Sequence, residues 1–349
     1  MSSLLTVRDL TVSFAGQPAV SGVSWTVHAG RTLGVVGESG SGKSITSLAA
    51  IGLLPPTAIV ERGDIKLASR EQGAAPIEVL SLDPRSIQQL RGGEIAMIFQ
   101  EPMTALNPVL SIGDQIIEAI LLHRKLSRAE AFDEAEAALA RVGITDPAAR
   151  LRAFPHEFSG GMRQRVMISM ALACRPRVLL ADEPTTALDV TIQAKVLDLI
   201  GELCDQERLG IVLVSHDLGL IAQRADDVCV MYRGRVVEYG ATREVVEQPA
   251  HPYTAALLAC APRIGTTIER LATVEQAAGS IAPLDSGATP WWPSRDCPPG
   301  TDRTSPVRLA RISPKRWVAV WNDEAGAALP KEAPDLGSVD QQGAGACAS

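Results

Sequence analysis

At 349 residues with 46% hydrophobic content, the chain can fill one large or two modest cores without disulfide staples. Its net charge of −7 and the lack of any basic run argue against a general nucleic-acid binder, so no nucleic-acid partner is expected. The apolar stretches 166–173 and 178–181 are separated by Arg175, Pro176 and Arg177, and fall short of the roughly 18 to 20 residues that cross a bilayer.

The N-terminal string MSSLLTVRDLTVSF has no basic segment followed by an apolar block, so no secretory signal is read and a cytoplasmic location is expected. Across residues 5–36 the segments LTVRDLTVSF, VSGVSWTV and TLGVVG are β-like and predict a strand-rich N-terminal lobe. KSITSLAAIGLL, after Gly42, turns helical, and GDIKLA, IEVL and EIAMIFQ are again β-like. Residues 111–152 read as helical, with Ser127 and Glu130 at capping-box spacing, and predict a helical insertion. The strand VLLAD (178–182), a helix over 191–207 and the strand IVLVS (211–215) predict a parallel sheet. Beyond Pro262, Pro, Gly, Ala and Ser increase. A small accessory region is expected over 263–330, with RWVAVW (316–321) as a brief apolar stretch, and a disordered tail over 331–349. The six cysteines (174, 204, 229, 260, 297, 347) form no CxxC pair and read as scattered reduced thiols.

Residues Gly37-Glu38-Ser39-Gly40-Ser41-Gly42-Lys43-Ser44 fit G-x-x-x-x-G-K-[ST], after an apolar strand and before a helical segment. The glycines let successive N–H groups point inward at phosphate oxygens, Lys43 reaches the β and γ phosphates, and Ser44 offers a hydroxyl to Mg²⁺. This string implies a nucleoside triphosphate site, but does not separate kinases, GTPases, helicases and transporters. Asp182 and Glu183 end an apolar strand. Asp182 can hold Mg²⁺ through water and Glu183 can polarise an attacking water; a solvated strand end is the plainer alternative. Ser159, Gly160 and Gly161 open an apolar-striped helix, where exposed N–H groups and a hydroxyl make a second anion-binding surface. A simple N-cap would also account for Ser159.

With FSGGMRQR in place, the chain resembles the ABC ATPases, and within them the oligopeptide/dipeptide importer ATPases, over about residues 4–262. The resemblance implies an α/β fold with a parallel-sheet core, an N-terminal antiparallel β subdomain, a helical subdomain at about 101–176 and a small C-terminal extension, with the ATPase domain spanning 1–262. It implies that two such domains dimerise head to tail, so that Ser159, Gly160 and Gly161 act on the partner's ATP. Gln100 matches the glutamine that contacts Mg²⁺ and the attacking water, and EPMTALNP after it resembles the segment facing the membrane subunit. Ala187-Leu188-Asp189 matches a dimer-interface loop. His216 matches the histidine that bonds the γ-phosphate region, although a lone histidine is more often structural. Phe14 falls where an aromatic stacks on adenine, and would serve equally as a core strand residue. Ile45 follows the phosphate loop and joins the nucleotide-binding set, and His251-Pro252-Tyr253-Thr254 resembles the segment that opens the peptide-importer extension.

The expected assembly is a second, sister ATPase, two integral permease subunits and an extracytoplasmic solute-binding protein, with this chain peripheral on the cytoplasmic membrane face. Peptides are the expected cargo. Nickel chelates, glutathione or another small solute form the alternative, and a soluble ABC ATPase working on ribosomes or DNA is a remote one. ATP and Mg²⁺ are the expected ligands. Many relatives carry a cysteine-rich tail, in some cases associated with an iron–sulfur cluster; aligned on Cys297, the other three positions are Trp291, Thr304 and Val320. One thiolate cannot hold such a cluster, so none is expected.

Overall fold

The computed structural model describes residues 2–71, 73–100, 105–185, 190–260, 284, 288, 290–292 and 307–322, the side chains of 190 and 191 excepted. Strands β1 (Ser3–Phe14) and β2 (Gln17–His28) form a hairpin. The third segment expected in that lobe, β3 (Thr32–Val36), leaves it. TLGVV is buried at every position and pairs in parallel with strands far along the chain, because a uniformly apolar run needs cover on both faces. Strands β4 (Ala58–Leu67) and β5 (Ile77–Glu78) return to the first sheet, which is antiparallel in the order β2-β1-β4-β5.

Around β3 stand β6 (Ile95–Ile98), β7 (Val178–Asp182), β8 (Gly210–Ser215) and β9 (Asp227–Tyr232), all parallel. The antiparallel strands β10 (Arg235–Ala241), β11 (Val307–Ser313) and β12 (Arg316–Trp321) continue the sheet on the β9 side, giving the order β11-β12-β10-β9-β3-β8-β7-β6. The apolar stretch 316–321 is therefore a wholly buried strand hydrogen-bonded to the main sheet.

Side chains alternate across this sheet and feed two cores. Leu33, Val35, Val178, Leu180, Val212, Val214, Cys229 and Met231 meet the antiparallel sheet, around Leu5, Leu10 and Trp25. Val36, Leu179, Ala181, Ile211, Leu213, Val228 and Val230 face the other core, with the helices.

The helices are α1 (Lys43–Ala50), α2 (Pro84–Gly93), α3 (Ile112–His123), α4 (Arg128–Arg141), α5 (Pro147–Arg150), α6 (Gly160–Leu172), α7 (Val190–Glu207), α8 (Leu218–Arg224), α9 (Thr242–Glu247) and α10 (Pro252–Cys260). Their starts carry the expected chemistry. Asp83 caps α2 ahead of Pro84, Ser111 caps α3, and Ser127 with Glu130 closes a capping box on α4, each cap contributing about 1 kcal/mol. Helices α3, α4 and α6 pack together through Ile116, Ile120, Ala135, Leu139 and Val166 to form the helical insertion. Among the described residues no helix is long and apolar enough to cross a membrane. The tail 331–349, Cys297 and Thr304 lie outside the described residues.

Because β3, β7 and β8 run parallel, their carboxyl ends share one edge of the sheet. The phosphate loop, Asp182 with Glu183, and His216 follow directly from those three ends.

Candidate functional site

The loop between β3 and α1 is set by steric exclusion. A Cβ on Gly37 would lie 2.1 Å from the Met231 carbonyl oxygen and 2.8 Å from Ser41 Oγ, so no larger residue fits. Gly42, which precedes the first turn of α1, has φ +98°, a conformation that L side chains rarely adopt. Glu38, Ser39 and Gly40 are exposed at the tip, whereas Ser41 and Lys43 are buried. Lys43 curls back over its own loop, donating from Nζ to the carbonyls of Gly37 at 2.7 Å and Glu38 at 2.8 Å. Burial pulls its pKa below the ordinary 10.5, against the opposing pull of Glu183, Asp182 and Glu38.

Asp182, at the end of β7, is 5% exposed, and burial pushes its carboxyl up. The Ser44 hydroxyl and Lys43 work against that rise, and Glu183 adds to it. Among the described residues its Oδ1 has no hydrogen-bond partner, and neither does the buried Ser41 Oγ of the phosphate loop. A buried carboxylate oxygen left without a partner at the end of a strand beside Ser44 and Lys43 is open to a ligand or a water. A hydroxyl and a carboxylate oxygen are the donor set a hard divalent cation takes, so Ser44 and Asp182 fit Mg²⁺.

Glu183 adopts φ 46°, a left-handed backbone that costs a non-glycine residue on the order of 1–2 kcal/mol. Its N–H donates to the Val214 carbonyl at 3.0 Å, which ties the turn to β8. The turn carries the carboxylate to where two other elements converge on the same oxygen. Gln100 Nε2 donates to Glu183 Oε2 at 3.0 Å, and His216 Nδ1 lies 3.5 Å from that atom. Gln100 comes from beyond the end of β6 and His216 from beyond β8, so residues 83 and 33 positions away meet on one atom.

The pattern recurs in known proteins. Residues 20–186 match the family model of the ABC transporter, and 237–289 match that of the oligopeptide/dipeptide transporter C-terminal region. The dipeptide transport ATP-binding protein DppD of Bacillus subtilis is 48% identical over 269 residues, which are 76% of this chain and 78% of that one. The chain belongs to the ATP-binding subunits of ABC transporters.

The oligopeptide transport ATP-binding protein OppD of Salmonella typhimurium is 47% identical, over 78% of this chain and 80% of its own. Among solved structures, cbiO1 of Clostridium perfringens, described as part of the ABC transporter complex cbiONQ, superposes with a TM-score of 0.61 at 26% identity, covering 71% of this chain and 92% of that one.

The remaining expected residues of this ABC ATPase sit apart from the Glu183 cluster. Ser159 is the N-cap of α6, accepting from Met162 N–H, so the plain capping reading holds whatever else Ser159 does. Gly160 next to it is exposed, and a Cβ there would meet nothing within 4 Å, whereas Gly161 packs on Ile192 of α7. Among the described residues no hydrogen bond joins these three to the phosphate loop of the same chain. Phe14 is half-buried at the tip of the β1–β2 hairpin, opposite Gln17 and Ala58, and packs on the antiparallel-sheet core. The same hairpin borders the loop, since a Cβ on Gly42 would lie 3.0 Å from the Ala19 carbonyl oxygen. Ile45 faces that core too, half-buried in the first turns of α1. Residues 101–104 and the Ala187-Leu188-Asp189 segment lie outside the described residues.

One contact escaped the sequence. The Glu38 N–H donates to the hydroxyl of Tyr253, 2.9 Å away and 215 positions later. The HPYT string was the only signal there, and it marks a family extension without saying what the tyrosine touches. Two of the positions aligned with cluster cysteines are buried: Trp291, whose N–H donates to the Ala319 carbonyl, and Val320 in β12.

Proposed function

We propose that this chain binds and hydrolyses ATP to energise the import of di- and oligopeptides. The observation that carries the catalytic part is the convergence of Gln100, His216 and Glu183 on one carboxylate oxygen, at the sheet edge that also presents Lys43, Ser44 and Asp182. In this reading Glu183 orients and deprotonates the attacking water. His216 and Gln100 hold that carboxylate and the γ-phosphate in line, and Lys43 offsets charge on the transferring phosphoryl group. Ser44 and Asp182, with Gln100, would hold Mg²⁺, which when bound would neutralise charge on the phosphate oxygens. The loop backbone from Gly37 to Ser44 and the first turn at Ile45 cradle the phosphates, and Phe14 stacks on adenine from the neighbouring hairpin.

We assign residues 1–262 to the ATPase domain, with a helical subdomain at about 101–176, and 263–330 to the peptide-importer extension. Two ATPase domains close over two nucleotides, with Ser159, Gly160 and Gly161 of each completing the other's site. The bare, exposed Gly160 at a helix start supports that approach. The second ATPase is a sister chain. Two permease subunits and an extracytoplasmic solute-binding protein complete the assembly at the cytoplasmic membrane face, and the exposed Phe99, next to Gln100 in the chain, favours a partner there.

The catalytic assignment is tested by Glu183→Gln, which is expected to bind ATP while losing steady-state turnover, and by Lys43→Ala, expected to lose nucleotide affinity. Normal hydrolysis by the Glu183→Gln protein removes Glu183 from that role. The cargo is tested by purifying the intact complex from membranes and identifying the ligand of its solute-binding subunit. Recovery of a nickel chelate or glutathione in place of a peptide overturns the peptide assignment.

A further inference from the structure

We propose that Tyr253 is a positioning residue for the phosphate loop, and that through it the C-terminal extension sets the affinity of the site for nucleotide. The inference rests on the loop being the ATP site. The exposed tip of the loop has few holds of its own. The Glu38 carbonyl accepts from Ser41 N–H at 3.2 Å and from Lys43 Nζ at 2.8 Å, and the second of these donors is the group an incoming phosphate draws on. From outside the loop, the Glu38 N–H is held by Tyr253 Oη.

Tyr253 is mounted rigidly enough to act as an anchor. It is fully buried, and its ring stacks on Tyr232 with centroids 4.3 Å apart. Tyr232 stacks in turn on Trp292 at 5.5 Å. The backbone N–H of Tyr253 donates to His251 Nδ1 at 3.2 Å, and His251 Nε2 donates to the Trp291 carbonyl at 2.8 Å. The Trp291 N–H donates to the Ala319 carbonyl of β12 at 2.9 Å. A continuous run of buried contacts thus joins the last strand of the sheet to the tip of the phosphate loop. Burial keeps the phenol protonated far above its ordinary range, so the hydroxyl is present at every working pH.

The test uses the full-length protein with Tyr253→Phe, which keeps the ring stack and removes the hydroxyl, Tyr232→Phe as the control inside the same stack, and Lys43→Ala as the reference for loss of the site. MgADP affinity by calorimetry, kcat and KM for ATP, and melting temperature are measured for each. Tyr253→Phe is expected to weaken MgADP binding and raise KM about five- to tenfold, the size of one lost hydrogen bond, with kcat within about twofold of the parent. Tyr232→Phe is expected to match the parent in both affinities. Parental affinity in Tyr253→Phe, with Lys43→Ala impaired, overturns the anchor and leaves the site intact, as does a lowered melting temperature with unchanged KM. Failure of the parent itself to bind MgADP overturns both.

Discussion

Among the described residues of this ABC ATPase two carboxylates are buried, in opposite circumstances. Glu238, in β10, is 0% exposed and fully satisfied. It accepts from the N–H groups of Ala250 and His251 at 3.0 Å each, and from Arg316 Nε at 3.2 Å and Nη2 at 2.6 Å, while Arg316 also donates to the Gln248 carbonyl. Asp182 is 5% exposed, lacks a partner on Oδ1 among the described residues, and stands beside a second carboxylate and a strained backbone at Glu183. The first arrangement fastens α10 and β12 to the main sheet. The second lowers the stability of the unliganded protein and is relieved when charge of the opposite sign arrives. Of these two carboxylates, the fully partnered one belongs to the scaffold and the one with an unpartnered oxygen belongs to the site.

The comparison is broken most easily where the effect is largest. Glu183→Gln is expected to lower kcat by about 10²- to 10⁴-fold, the usual worth of a positioned general base, without lowering the melting temperature. A loss of stability with retained turnover would place Glu183 on the scaffold side. Glu238→Ala is the mirror experiment. Removing one partner of the buried pair leaves the Arg316 guanidinium unpaired, which costs about 3–5 kcal/mol. Denaturant unfolding should register that loss, while kcat per folded molecule stays near the parent's.

A third measurement uses pH. Burial holds His251 neutral and lowers its pKa from the ordinary 6.5 to about 4, against the raising effect of the Trp291 carbonyl. Tyr253 N–H donating to Nδ1 leaves no room for a second proton there. Between those two values the unfolded chain binds a proton that the folded chain refuses, so stability rises with pH across that window. The contribution is complete above about 6.5 and is lost on acidification toward 4, for a total of about 3 kcal/mol. Equilibrium unfolding from pH 7 to 4 checks it: His251→Gln should flatten that part of the profile, and an unchanged slope would mean that another group carries it.

What the sequence showed and what it hid follow the same division. Lys43, Asp182 and Glu183 sit in short strings whose chemistry is legible residue by residue, and the strands VLLAD and IVLVS announce a parallel core because they are apolar throughout. The departure of β3 from the N-terminal lobe was visible in principle in the same feature, since TLGVV has no polar face to leave outside. The placement of β10, β11 and β12 on the sheet was not, because strand order is set by partners far away in the chain and leaves no local period. Ser159 reads as a donor to the partner's nucleotide, with a plain N-cap as the alternative, and its hydroxyl caps α6 in the structure. The Tyr253–Glu38 bond has no sequence signature, since each end is ordinary in its own neighbourhood.

The smallest expected effect is the most direct test of unsatisfied burial. Asp182 carries a carboxyl whose folded pKa is raised, so its contribution to stability is fully present below about pH 3.9, the unfolded value, and is lost as pH rises through the folded one. Asp182→Asn keeps the shape and removes the charge. Without nucleotide or Mg²⁺ the variant should be more stable than the parent at neutral pH, by on the order of 1 kcal/mol, and the gap should close on acidification as the parent's carboxyl protonates. Adding Mg²⁺ with ADP should then reverse the order, because ligand binding stabilises the folded parent by RT ln(1 + [L]/Kd) and the variant has lost a metal ligand. Melting curves at two pH values, with and without MgADP, check both signs. A variant less stable than the parent under all four conditions would make Asp182 a scaffold carboxylate like Glu238, held by contacts that its unpartnered oxygen does not reveal.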